Sequence, residues 1–167
     1  AKESGAKVIV DNVMASPLAQ RPLDLGADLV MYSATKHLDG QGRVLGGAII
    51  GSADFISNSL RPFARHTGPA LSPFNAWVLL KSLETLPMRV EKMNQNALEL
   101  AQHLESLSVS TRYPFLPSHP KHALAAKQMI SGGSTVCIDL GSKTKAFDFL
   151  NALQVIDISN NLGDARS

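Results

Sequence analysis

The chain has 167 residues, 44% hydrophobic and 18% charged, with a formal net charge of +2; this describes a globular protein of one or two small domains with a sizeable core. Its charges are scattered and no basic run is interleaved with aromatics, which excludes a nucleic-acid footprint. The single cysteine, Cys137, excludes an intrachain disulfide, no apolar run reaches membrane-spanning length and no signal peptide is recognisable, so the expected location is the cytoplasm.

The opening AKESGAK reads as the end of a helix stopped by a glycine, so both this end and the closing NNLGDARS are expected to be cut from a larger structure. KVIVD and DLVMYS are continuous apolar runs, the mark of parallel strands covered on both faces. Between them NVMASPLAQRPLDLGA predicts a short crossover with a helical turn, and GGAIIGS a third strand. SADFISNSL predicts a helix capped by Ser52, and RPFARHTGPALSP an exposed loop. SPFNAWVLLKSLETL has Ser72 as cap and Pro73 at the first helical position, with Trp77 expected in the core. Pro87 forces a bend or a new start, and from there Val90, Met93, Ala97, Leu100, Ala101, Leu104 and Leu107 recur at helical spacing.

SVSTRYPF predicts a strand and HPKHALAAKQMI a short helix. STVCIDL alternates, with Val136, Ile138 and Leu140 on one face and Cys137 expected as a buried structural thiol. KTKAFDFLNAL predicts a helix and QVIDIS a last strand. The expected domains are residues 1–86, the end of a mostly parallel α/β unit, and residues 87–167, a smaller α+β unit.

The chemistry gathers around MYSATKHLDGQGR, where an apolar strand runs into Ser33, Thr35 and Lys36. The first strand ends in Asp11, and in open α/β sheets ligands bind outside the carboxyl ends of the strands. A lysine beside an apolar strand offers a nucleophilic amine, hydroxyls donate to an anion, and a carboxylate pairs with a cation. Pyridoxal phosphate (PLP) asks for all of these: an amine for its aldehyde, donors for its phosphate and an acid for its pyridinium nitrogen. The bland alternative is a solvated lysine, turn-forming hydroxyls and an Asp11 that caps the next turn.

Other signals are weaker. GQGRVLGG has Leu45 where a dinucleotide site needs its third glycine, and it precedes a strand. Gly46 and Gly47 suit tight backbone packing beside the lysine. His119 and His122 lack further ligands nearby, so no metal site is expected and surface histidines are. His37 reads as structural, and Arg61 as a loop residue that could reach an anion or a neighbouring subunit.

On the stretch from VIVDNVMASPLAQRPLDLGAD through SATKHLDGQGRVLGG, and on through RHTGPALSPFNAWVLLKSLETLPMRVEKMNQNA, the sequence resembles the cystathionine γ-synthase family of PLP enzymes. The resemblance extends to SGGSTVCIDL and ISNNLGDARS. It implies an α/β fold of the aspartate-aminotransferase type (type I), here the end of the mixed, mostly parallel cofactor-domain sheet plus a small C-terminal domain. It implies that Lys36 binds the cofactor covalently and then moves protons, that Ser33 and Thr35 hold the phosphate, and that Asp11 faces the pyridine nitrogen. Asn160 and Asn161 match the family's loop near the substrate carboxylate, where serine is more usual.

GQGR, residues 40 to 43, resembles the O-succinylhomoserine sulfhydrylase branch, where many members have Gly-His-Ser-Asp. That implies γ-replacement of succinate by sulfide to give homocysteine, as in methionine biosynthesis; cystathionine γ-synthase and the lyases are the alternatives within the family. It also implies a homo-oligomer, a tetramer built from dimers that share active sites, and a ring-stacking aromatic and a carboxylate-binding arginine outside these residues. A non-catalytic anion-binding α/β module is the alternative from another class.

Overall fold

The computed structural model describes residues 2–165. A 3-10 turn, Lys2–Ser4, ends at Gly5, whose φ of +70° is the left-handed stop that glycine provides. β1 (Ile9–Asp11) and β2 (Leu29–Ser33) then pair in parallel, with Asp11 opposite Met31. The crossover between them contains α1 (Ser16–Ala19) and is organised by the buried Asn12. Its Nδ2 lies within 3.0 Å of the Ser16 and Gln20 carbonyls and of the Tyr32 hydroxyl, so one amide ties the crossover to β2.

β3 (Gly47–Gly51) joins the other side of β2 in antiparallel register, Ser33 opposite Gly47, giving the order β1-β2-β3. β2 is central and its Leu29, Val30 and Tyr32 are buried, but the cover on both faces that the apolar runs predict is not seen among the described residues. Ile9, Met31, Ile49 and Ile50 remain exposed.

Ser52 caps the next helix as expected, accepting from the Phe55 N–H. The first half of the segment expected to be an exposed loop is instead helical, while residues 68–72 are irregular and exposed as expected. α2 (Ala53–Phe55) passes through a π turn, Ile56–Leu60, into α3 (Arg61–Thr67). Pro62 has no N–H and its ring crowds the preceding turn, and the wider turn just before it accommodates both defects. The helix ends at Gly68, with φ of +85°.

α4 (Pro73–Leu83) starts as its sequence predicts, with Ser72 Oγ accepting from the Asn75 N–H. Trp77 does not enter the core. It shares an outer stripe with Phe74 and Leu80, exposed at 55%, 69% and 60%, because the inner side of the helix is given to Val78 and to the buried Ser82.

α5 (Leu86–Ser106) has Pro87 in its first turn and buries Leu86, Val90, Ala97 and Ala101. Leu100 and Leu107 of the predicted stripe face outward. β4 (Ser110–Arg112) pairs antiparallel with β5 (Cys137–Asp139) and lies against α5, and the chain also forms α6 (His122–Gln128) and α7 (Lys143–Ala152). Here the core is Ala97, Ala101, Tyr113 and Leu116, with Leu98, Phe115 and Val136 against it.

Cys137 is exposed, contrary to expectation. A strand alternates, so with Val136, Ile138 and Leu140 turned to one side Cys137 must turn to the other. QVIDIS is not a strand: no neighbour pairs with it among the described residues, and Val155 and Ile158 are exposed at 92% and 70%. No described helix is long and apolar enough to cross a membrane.

Candidate functional site

β2 ends at Ser33, and the next residues, Ala34–Leu38, wind into a single π turn rather than continuing the strand. Lys36 breaks that turn with φ of −88° and ψ of −127°. The chain approaching β3 flanks the turn: the Ala34 N–H donates to the Gly46 carbonyl at 2.8 Å, and the Gly46 N–H donates to Thr35 Oγ1 at 3.3 Å.

Asp11 and Ser33 stand at the carboxyl ends of neighbouring parallel strands, with Thr35 and Lys36 just beyond. Asp11 is exposed, and its Oδ1 accepts from the Val13 N–H at 3.1 Å. Ser33, Thr35 and Lys36 are half-buried. The Lys36 amine donates to Asn161 Oδ1 at 2.6 Å, a contact across 125 positions of sequence. Asn160 is exposed and makes no hydrogen bond to Lys36.

Residues beyond the predicted set hold this turn in place. Asp39 is fully buried at its side chain, and its carboxylate accepts from Arg43 Nε and Nη2 at 3.1 and 2.9 Å and from Ser82 Oγ at 3.2 Å. Burial alone would raise this carboxyl, but the Arg43 backbone and guanidinium, with the Ser82 hydroxyl, hold it below the ordinary carboxylate value. Arg89 of α5 reaches the same turn, donating to the His37 and Ser82 carbonyls at 3.0 Å each. Its burial draws the guanidinium pKa down, with Asp39 opposing. Gly40, at φ of +68°, takes the left-handed backbone that favours glycine, and a Cβ there would push aside the Arg89 guanidinium, whose Nη1 lies 1.9 Å from that position. The sequence carries one signal of this lock, the four-residue spacing of Asp39 and Arg43 around GQG.

His37 is 3% exposed, and its Nε2 lies 2.7 Å from Ser134 Oγ. Its Nδ1 has no hydrogen-bond partner among the described residues. Burial pushes this imidazole below its ordinary value; the nearby Val13 backbone opposes the shift without a well-formed bond, and Arg89 adds to it.

Cavities lined by Lys7, Asp28 and Ser52, and by Pro17, Tyr32 and Ile50, lie apart from Lys36. His122 is half-buried rather than a surface residue, with its Nδ1 3.2 Å from the Pro114 carbonyl and its ring edge-on to Phe115. No described group of three His, Cys, Asp or Glu could hold a metal ion.

The sequence pattern of Cys/Met metabolism PLP-dependent enzymes matches residues 1–167. The chain belongs to this family. Within it, the chain is 53% identical over its whole length to O-succinylhomoserine sulfhydrylase of Mycobacterium tuberculosis (strain CDC 1551 / Oshkosh), covering 43% of that protein. It is 37% identical to cystathionine γ-lyase of Bacillus subtilis (strain 168), again over its whole length and covering 45% of that protein. Among solved structures, cystathionine γ-synthase from Xanthomonas oryzae pv. oryzae, in complex with aminoacrylate and cysteine, superposes with a TM-score of 0.92 at 34% identity, over 99% of this chain and 44% of that one. The chain thus spans less than half the length of these relatives and shares the α/β fold of that part of the PLP enzymes.

Proposed function

We propose that the protein containing this chain is a PLP-dependent enzyme that replaces the γ-substituent of an O-acylated homoserine, O-succinylhomoserine first, with sulfide. The observation that carries the reading is a half-buried lysine amine at the carboxyl end of a parallel strand pair, within a sequence 53% identical to a sulfhydrylase of that name. In this reading the fold is the aspartate-aminotransferase type, with residues 1–86 the end of the cofactor domain and 87–167 the small domain. Small-molecule substrates, a homotetramer that shares sites between subunits and a cytoplasmic location belong to the same proposal.

The donor set fits the cofactor. Lys36 supplies the amine for covalent attachment. Thr35 accepts from the Gly46 N–H through Oγ1, which leaves its own O–H free to donate to a phosphate, and Ser33 offers a second hydroxyl. Asp11 has Oδ1 engaged by Val13, which leaves Oδ2 for a pyridinium N–H. Bound PLP supplies an electron sink for the charge left when a substrate C–H bond ionises. Lys36 would hold and move the proton; Asn161 beside it would orient either this amine or the substrate carboxylate, with Asn160 the neighbouring candidate.

The test is visible absorption of the full-length protein on adding PLP, followed by borohydride reduction and peptide mapping. A yellow protein with its stable adduct on Lys36 is expected, and Lys36→Arg loses both colour and adduct, since arginine keeps the charge but cannot condense with an aldehyde. Unchanged PLP binding and spectrum in that variant would leave only the anion-binding reading. Turnover with O-succinyl- against O-acetylhomoserine, each with sulfide or cysteine, separates the sulfhydrylase from the γ-synthase; keto-acid release without sulfide marks a lyase, the reading supported by the 37% relative.

A further inference from the structure

The end of the described chain returns to the lysine turn and lies along it. Asn161 Oδ1 accepts from Lys36, the Ala165 N–H donates to the Gly40 carbonyl at 3.1 Å, and between these contacts Gly163 rests on His37. The rest is close: a Cβ on Gly163 would stand 2.7 Å from the His37 N, 2.9 Å from Cγ and 3.0 Å from Nδ1. The ring is fixed from the other side by Ser134 Oγ, and the backbone of its own residue by Arg89. The buried ring, tied to Ser134, and the backbone N of its own residue thus together limit how near residues 161–165 approach the turn.

We propose that His37 is a positioning residue for the lysine that precedes it, acting through the 161–165 segment to place the Asn161 carboxamide against the Lys36 amine. The geometric claim stands on this chain alone; its catalytic consequence rests on the proposed function. A smaller side chain at 37 lets the segment sink and tilt, and the Lys36–Asn161 bond is lost. Ser134→Ala produces a milder form of the same effect by releasing the ring. Gln at 37 reaches Ser134 with an amide and restores most of the spacing.

The experiment compares wild type, His37→Ala, Asn161→Ala and the double variant in the full-length protein. The first readout needs no cofactor: the rate at which Lys36 is reductively methylated in the cofactor-free protein, followed on the peptide that bears it. Both single variants are expected to react about fivefold faster, the worth of one hydrogen bond that holds the amine down. The double variant is expected to match Asn161→Ala alone, because His37 acts through Asn161. With PLP bound, His37→Ala lowers kcat roughly tenfold to a hundredfold with KM little changed, and His37→Gln recovers most of it. Multiplicative effects in the double variant, or a folded His37→Ala with wild-type methylation, would overturn the proposal. If His37→Ala does not fold, Ser134→Ala takes its place in the same cycle, and an unchanged rate there also overturns it. Failure of wild-type Lys36 to bind PLP would instead sink the proposed function and leave the methylation result standing.

Discussion

His37 shows how a side chain that does no chemistry can be read from its surroundings. Folding holds its pKa below the ordinary value of 6.5, first through burial, so the unfolded chain takes up the proton earlier as the pH falls. Its contribution to stability is therefore whole above 6.5 and drains away as the pH drops toward the folded pKa. Denaturant midpoints of wild type are expected to fall below 6.5 by more than those of His37→Gln, which has no proton to take up. Parallel curves for the two would show that another group governs the acid limit. From the sequence, His37 could be read as structural from its place beside the lysine, but its partners could not: Ser134 lies 97 positions away and Gly163 further still. That Asp11, Ser33, Thr35 and Lys36 stand at the ends of neighbouring strands was legible from two short stretches, whereas the Lys36–Asn161 contact depends on how the whole chain closes.

Among the elements, the turn after β2 is held by two helices, α4 through Ser82 on the buried Asp39 carboxylate and α5 through Arg89 on the His37 carbonyl. Arg43→Met leaves Asp39 buried with only Ser82 and a backbone N–H, and is expected to cost about 2–4 kcal/mol in chemical unfolding, less than a fully buried pair because Arg43 is 45% exposed at its side chain. Gly40→Ala combines left-handed backbone with ejection of Arg89 and is expected to cost about 1–3 kcal/mol. If either variant unfolds at the wild-type denaturant concentration, the lock contributes nothing. Most elements were legible where local signals agreed: Ser52 and Ser72 as caps, and the stripe of α5. The reading failed at residues 61–67, where Pro62 suggests a loop and the preceding π turn absorbs it, and at QVIDIS, whose β-branched residues find no described partner. Propensity is local, and pairing is not.

At the scale of the molecule, apolar surface marks what the described residues do not cover. Phe63, Phe74, Trp77 and Leu80 are all more than half exposed on α3 and α4, and Ile9 and Met31 face outward from the sheet. The 167-residue chain by itself is expected to bind an environment-sensitive dye, and Phe74→Lys with Trp77→Lys to reduce that fluorescence several-fold; an unchanged signal would place the sticky surface on the sheet instead. The sequence could not tell Trp77 from a core residue, because an apolar stripe predicts burial without naming the partner that provides it.

The contacts that hold the lysine turn also become available in a fixed order during synthesis. The turn itself leaves the ribosome early, Arg89 follows with α5, and Asn161, Gly163 and Ala165 emerge only after the whole α+β part has been made. A nascent chain from which α5 has emerged but residues 161–165 have not thus has the turn held by Arg89 and its lysine without the Asn161 partner. The amine is therefore present as a nucleophile before the carboxamide that will hold it has been made.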